Sequence, residues 1–228
     1  RLYSLAAQAV GHFKGYLKTE ADLHNVLANH GKAVAENIHA QMAQHYVEEP
    51  GETEVVVSQG FTQLKGSALT AEGEVRHLHQ APEDKSRIAT LVYGGFARCA
   101  YTYQKFQSDP ERLMAVILER DALRWFRPVL GQFNIYYRRG IDQPEYVPDF
   151  VAATPQVNLL IETKKAGDLQ SEEVQVKAHA AVQWCEHASR YAAQHGARPW
   201  KYLLIPHDAV AVNKTLASLA TAFAVRVH

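Results

Sequence analysis

Apolar positions along the chain change their period several times. Over residues 1–46 they recur at helical spacing, with Leu2, Leu5, Ala9 and Phe13 on one face and Val26, Ala33, Ile38 and Met42 on another, which predicts two helices. Glu48, Glu49, Pro50 and Gly51 break that pattern, and the β-branched run Val55, Val56 and Val57, closed by Gly60, predicts a strand or hairpin. The polar stretch from Thr70 to Lys85, with Gly73 and Pro82, reads as a loop. From Arg87 to Phe106 aromatic and β-branched residues return, and Gly94-Gly95 predicts a turn between two strands.

The second half is more ordered in its signals. Ser108-Asp109-Pro110-Glu111 predicts a helix start, because a side-chain oxygen, a proline and a carboxylate all suit the unpaired N–H groups of a first turn. Leu113, Ile117, Leu118, Ala122 and Trp125 extend an apolar face to about Phe126, before Pro128 and Gly131. Strand-like runs follow from Phe133 to Arg138, Tyr146 to Ala152 and Val157 to Thr163, which read together as a three-stranded meander. A long helix from Ser171 to Gln194, a buried strand from Trp200 to Ile205 and a last helix from Asn213 to Phe223 complete the order α-β-β-β-α-β-α.

Composition narrows the class. Of 228 residues, 47% are hydrophobic and 21% charged, the balance of a soluble globular protein with room for a core. The 24 basic residues equal the 24 acidic ones, which excludes nucleic-acid binding by bulk charge alone. Cys99 and Cys185 form no CxxC pattern, so neither a disulfide framework nor a zinc ribbon is expected and a reducing, cytoplasmic compartment is. There is no apolar run of membrane-spanning length and no signal core, so no membrane partner is expected. The chain opens at Arg1 without methionine and reads as a piece of a longer protein.

Candidate chemistry gathers around two strands. Pro148-Asp149 lies in the second strand of the meander and Glu162-Thr163-Lys164 ends the third, thirteen positions after Asp149. Side chains alternate across a strand, so Glu162 and Lys164 share a face, and Asp149 joins them if the two strands pair. Phosphodiester hydrolysis needs a hard cation, and Mg2+ takes one or two carboxylates while keeping waters and substrate phosphate as its other ligands. Asp149 and Glu162 suit that count, and Lys164 suits the orientation of the attacking water. A triplet of this kind is weak by itself, since Glu83-Asp84-Lys85 is a second one; that copy sits in a polar loop with no Pro-Asp upstream and reads as a decoy. The plain alternative is a salt bridge at the end of a sheet. His77 and His79 lack the second ligand pair of a zinc site.

These residues and their order resemble the PD-(D/E)xK nuclease superfamily. More narrowly, Tyr93-Gly94-Gly95-Phe96, the run Lys105 to Arg112, Tyr146-Val147-Pro148-Asp149-Phe150-Val151, Glu162-Thr163-Lys164, Ala180 to Cys185 and Pro199 to His207 resemble the C-terminal endonuclease region of type III restriction subunits, over about residues 88–212. The resemblance implies an α/β fold whose restriction-endonuclease-like core (α-β-β-β-α-β-α, a central mixed sheet flanked by helices) occupies residues 107–228, preceded by a helical and β-arm connector over 1–106. It implies a DNA endonuclease using Mg2+, with Mn2+ as substitute. Double-stranded DNA, a modification (methyltransferase) subunit and an N-terminal helicase domain of the same parent chain are the implied partners. ATP would act only through that helicase, because no GxxxxGK[ST] phosphate loop occurs here.

Asp149 and Glu162 are then expected to bind metal, Lys164 to serve the water, and a helix glutamate to complete the metal site directly or through water. Glu111 is favoured over Glu119; the two stand about 80° apart on a helix. Arg112, Lys165 and Lys177 are the candidate DNA contacts, within a set of basic residues that includes Arg120, Arg124, Arg127, Arg138 and Arg139. The competing expectation is a non-catalytic DNA-binding or docking module that keeps the nuclease fold.

Overall fold

The computed structural model describes residues 11–12, 15–45, 63–66 and 75–226. The positions on which the first expected helix and the Val55 to Val57 strand rest lie outside the described residues. Packing divides the chain into two units, Arg1–Val56 with Gly140–Asp142, and Val57–Arg139 with Gln143–His228. The expected boundary between residues 106 and 107 falls inside the second of these.

The first unit holds helix α1, Glu20–Gln44. Thr19 caps it reciprocally: the Thr19 hydroxyl accepts the Asp22 amide at 3.2 Å, and the Asp22 carboxylate accepts the Thr19 amide at 3.0 Å. None of the residues of α1 is buried.

The second unit is mixed α/β, with a central mixed sheet flanked by helices. Its main sheet has the order β3-β6-β7-β8, from Arg124–Phe126, Phe150–Ala153, Asn158–Lys164 and Trp200–Pro206. β3 and β7 flank β6 antiparallel, while β8 runs parallel to β7. Two ribbons stand beside this sheet: β1 (Arg76–His77) with β2 (Tyr93–Gly94), parallel, and β4 (Ile135–Tyr136) with β5 (Glu145–Tyr146), antiparallel. Helices α2 (Asp109–Asp121), α3 (Glu172–Gln194) and α4 (Leu216–Phe223) complete the unit.

Alternation along the strands explains the layering. Phe150, Ala152, Leu159, Ile161, Leu203 and Ile205 pack with α2 and α4 in one core, while Val151, Leu160 and Tyr202 pack with Ala178, Ala181 and Cys185 of α3 in the other. The first core also takes in Leu78, Ile88, Leu91, Tyr93 and Phe106, so the segment before α2 is built into the same unit.

Three expectations are corrected. The helix from Ser108 stops at Asp121 rather than Phe126, because Ala122 turns to extended backbone (ψ 156) and Arg124–Phe126 forms β3. Trp125 lies seven positions after Leu118 and so fits the helical period, yet its indole N–H folds back to donate to Glu119 Oε2 at 2.8 Å. β3 therefore supplies the first strand of the meander, and of Phe133 to Arg138 only Ile135–Tyr136 pairs, in the side ribbon. Between Arg87 and Phe106 there is no two-strand hairpin on Gly94-Gly95. Lys85–Thr90 is a 3-10 helix, and Gly95 takes a left-handed φ of 81° before the chain runs on to bridge β3 at Cys99. Among the described residues no helix is long and apolar enough to cross a membrane, and both cysteines are free.

Candidate functional site

Asp149 stands one residue before β6, where buried Pro148 offers no N–H to extend the ladder. β6 and β7 pair Phe150 with Ile161, so the same register carried one step further sets Asp149 across from Glu162. Residues opposite one another in an antiparallel pair project to one face. Glu162 has the parity of Leu160, which places it on the α3 side of the sheet, and Lys164 shares that face.

Asp149 is held through one carboxylate oxygen and Glu162 through both. Asp149 Oδ2 accepts both the amide and the hydroxyl of Thr163, each at 2.8 Å. Glu162 Oε2 accepts the Tyr146 hydroxyl at 2.9 Å, and Tyr202 lies behind it, its hydroxyl 3.4 Å from that of Tyr146. Glu162 Oε1 meets Lys164 Nζ at 2.8 Å. Asp149 Oδ1 is thus left without a close partner, whereas both oxygens of Glu162 are engaged, Oε2 by Tyr146 and Oε1 by Lys164.

Glu111 arrives from the opposite layer. Ser108 caps α2 by accepting the Glu111 amide at 3.4 Å, and the Glu111 carboxylate turns back to accept the Gln107 amide at 3.1 Å. Its Oε2 also meets Arg127 Nη2 at 2.9 Å. That nitrogen lies 3.9 Å from Asp149 Oδ1, so Arg127 stands between the two carboxylates.

Electrostatics tie the cluster together. Glu162 is only 6% exposed; burial first, and the Asp149 charge second, push its carboxyl from 4.5 up to about 7 against the opposing pull of Lys164. Glu111 is likewise raised by burial, with Arg127 pulling it down and Asp149 pushing it further up. Burial acts to lower the Lys164 ammonium, but Glu162, Asp149 and Glu111 outweigh it and hold it above its ordinary value. Tyr146 is raised well above its ordinary value by burial and then by Glu162, so it remains a donor. Three carboxyl groups face two cations, Lys164 and Arg127, so the cluster carries one negative charge in excess once all three carboxyls are ionised.

The structure therefore brings Asp149, Glu162, Lys164 and Glu111 together. Of the two helix glutamates, Glu119 is committed elsewhere: it accepts the Ala97 amide at 2.5 Å, the Arg98 amide at 2.8 Å and the Trp125 indole. The expected DNA contacts are not brought to the cluster as a set. Arg112 is 4% exposed, with Nε 2.9 Å from Asp109 Oδ1 and Nη1 donating to the Leu78 carbonyl, so it braces the start of α2 from inside. Lys165 is exposed just past β7. Lys177 pairs with Glu173 and lies over the Tyr137 ring, 5.5 Å from its centroid. Two ordering residues, Tyr146 and Thr163, are visible only in three dimensions. Arg127 is singled out from the basic residues of the sequence only by its place.

Among the described residues no group of three or more His, Cys, Asp and Glu side chains is arranged to hold a metal ion, and the His77 and His79 rings stack on each other 5.4 Å apart. Mg2+ does not require such a group, because it keeps several waters and needs one or two carboxylates. By their chemistry Asp149, through Oδ1, and Glu162, through Oε1 once Lys164 gives it up, are the two residues of the cluster that could supply oxygen ligands to a hard dication. No family model matches the chain, and no curated protein matches it.

Proposed function

We propose that the second unit is a Mg2+-dependent DNA endonuclease domain with a PD-(D/E)xK core, working within an ATP-dependent type III restriction system. The observation that carries the proposal is the setting of Asp149 and Glu162 at one end of β6 and β7, Asp149 fixed by Thr163 and Glu162 by Tyr146, with Lys164 paired to the second Glu162 oxygen. The order α2-β3-β6-β7-α3-β8-α4 supports it.

Asp149 and Glu162 would hold the metal, which supplies Lewis-acid polarisation of the phosphoryl oxygen and a more acidic water. Thr163 fixes the Asp149 carboxylate, and Tyr146 fixes that of Glu162. Raised toward neutrality, Glu162 loses its proton near the pH at which it is needed as an anion. Lys164 leaves Glu162 to orient the nucleophilic water and to balance negative charge on the phosphorus oxygens. Double-stranded DNA, a helicase domain and a modification subunit are the partners this reading requires.

A second reading has an observation in its favour. Lys164 and Arg127 already form ion pairs with Glu162 and Glu111, as a docking or DNA-binding module without catalysis would have it. Mn2+ titration followed by electron paramagnetic resonance separates the two. The nuclease reading expects saturable binding that Asp149→Asn and Glu162→Gln weaken by more than about tenfold, together with cleavage of DNA when the helicase and modification partners are supplied. No Mn2+ uptake at millimolar concentration defeats it.

A further inference from the structure

We infer that Arg127 is a resident cation that takes the place a second metal ion would need, and that Glu111 is its positioning partner rather than a metal ligand. The inference rests on the proposed metal site of Asp149 and Glu162 and specifies how many ions that site accepts.

Arg127 follows β3, and each of its three guanidine nitrogens is committed. Nε donates to the Asp149 carbonyl at 3.2 Å, Nη1 donates to the Lys105 carbonyl, and Nη2 meets Glu111 Oε2 at 2.9 Å and lies 3.9 Å from Asp149 Oδ1. The guanidinium carbon lies 5.6 Å from the centroid of the Phe106 ring and 5.2 Å from that of Phe150, an arrangement that favours a cation there. Both rings are fully buried. The side chain is thus anchored by the backbone of two segments and by two aromatic faces, and it bridges the two carboxylates that a second dication would have to share.

A guanidinium is a permanent charge that presents donors only and cannot ligate a metal. Glu111 Oε2 is spent on Arg127 and on the Gln107 amide, both of which would have to be given up before that oxygen could coordinate an ion. Asp149, by contrast, keeps Oδ1 at nearly 4 Å from the guanidinium. The geometry therefore sets the multiply anchored Arg127 between Glu111 and Asp149, while on the other side one dication has to displace the partly exposed Lys164 from Glu162 Oε1.

Mn2+ stoichiometry of the purified chain, read by calorimetry and by electron paramagnetic resonance, tests this without any activity assay. The wild type is expected to bind one ion, Arg127→Gln two, and the double variant with Glu111→Gln one again. Glu111→Gln alone should change Mn2+ affinity by less than about fivefold, the range of a nearby charge that is not a ligand. It depends on neither the folding nor the second site of Arg127→Gln. Two ions on the wild type, an unchanged single ion on folded Arg127→Gln, or a loss beyond about tenfold in Glu111→Gln each overturn the inference. No ion on the wild type overturns the metal-site reading beneath it instead.

Discussion

The chain holds two triplets of the form Glu-x-Lys, and the structure treats them in opposite ways. Glu83-Asp84-Lys85 lies at the start of a 3-10 helix: Asp84 caps it through the Ser86 amide at 2.9 Å, and exposed Lys85 reaches Asp109 at 2.7 Å. There the partners lower the carboxyls: hydrogen bonds from Ser86 lower Asp84, and the cations Lys85 and Arg112 outweigh burial to lower Asp109. At Glu162-Thr163-Lys164 the lysine is as close to its acid, yet the carboxyl is raised, because burial and a second acid oppose the pairing. Acids matched by cations brace a fold; acids left short of cations and buried leave a demand that a ligand can meet.

The largest test of this contrast is catalytic. Asp149→Ala or Lys164→Ala should reduce DNA cleavage by about a thousandfold or more, while Lys85→Ala and Glu83→Gln leave the rate as it is. Initial rates in Mg2+ with helicase and modification partners present decide it, and an equal loss from Lys85→Ala would abolish the distinction. Next comes stability: Arg112→Ala strips Asp109 of its buried partner and should cost about 3–5 kcal/mol in urea unfolding. A cost below about 1 kcal/mol would move Arg112 out of the bracing role.

The third test is pH. Glu162 ionises near 4.5 when unfolded and near 7 when folded, so the folded state holds the extra proton between those values. Without divalent cations, stability should fall as pH rises from about 4.5 to about 7, by on the order of 3 kcal/mol. Glu162→Gln should flatten that slope, and a slope unchanged in this variant places its origin elsewhere. The smallest effect belongs to the first triplet: Lys85→Ala should lower stability by less than about 1 kcal/mol, measured by the same unfolding.

Legibility in the sequence followed how local each signal was. α3, β7 and β8 lie close to their expected bounds because long periodic runs specify them. β3 was hidden because a single tryptophan satisfied two periods, and its pairing with β6 depends on residues far along the chain. Within the site, strand alternation was enough to put Glu162 and Lys164 on one face, whereas Glu111 was preferred to Glu119 only through the resemblance of its Ser-x-x-Glu helix entry to the superfamily pattern. Arg127 touches Asp149 from 22 positions away and Tyr146 touches Glu162 from 16. Neither carries a spacing rule, since what places them is the crossing of segments rather than any repeat. Arg112 misled for the complementary reason: a basic residue beside a helix start reads as surface charge until its buried hydrogen bond to the Leu78 carbonyl is known.

The clamp of Thr163 on Asp149 makes one backbone amide a reporter. Its hydrogen can exchange with deuterium only when the carboxylate lets go, so exchange there should slow further whenever a cation settles on Asp149, while amides of exposed α1 keep their rates. Occupancy of the centre is thereby written into the exchange clock of a single peptide group, readable without substrate, turnover or any altered residue.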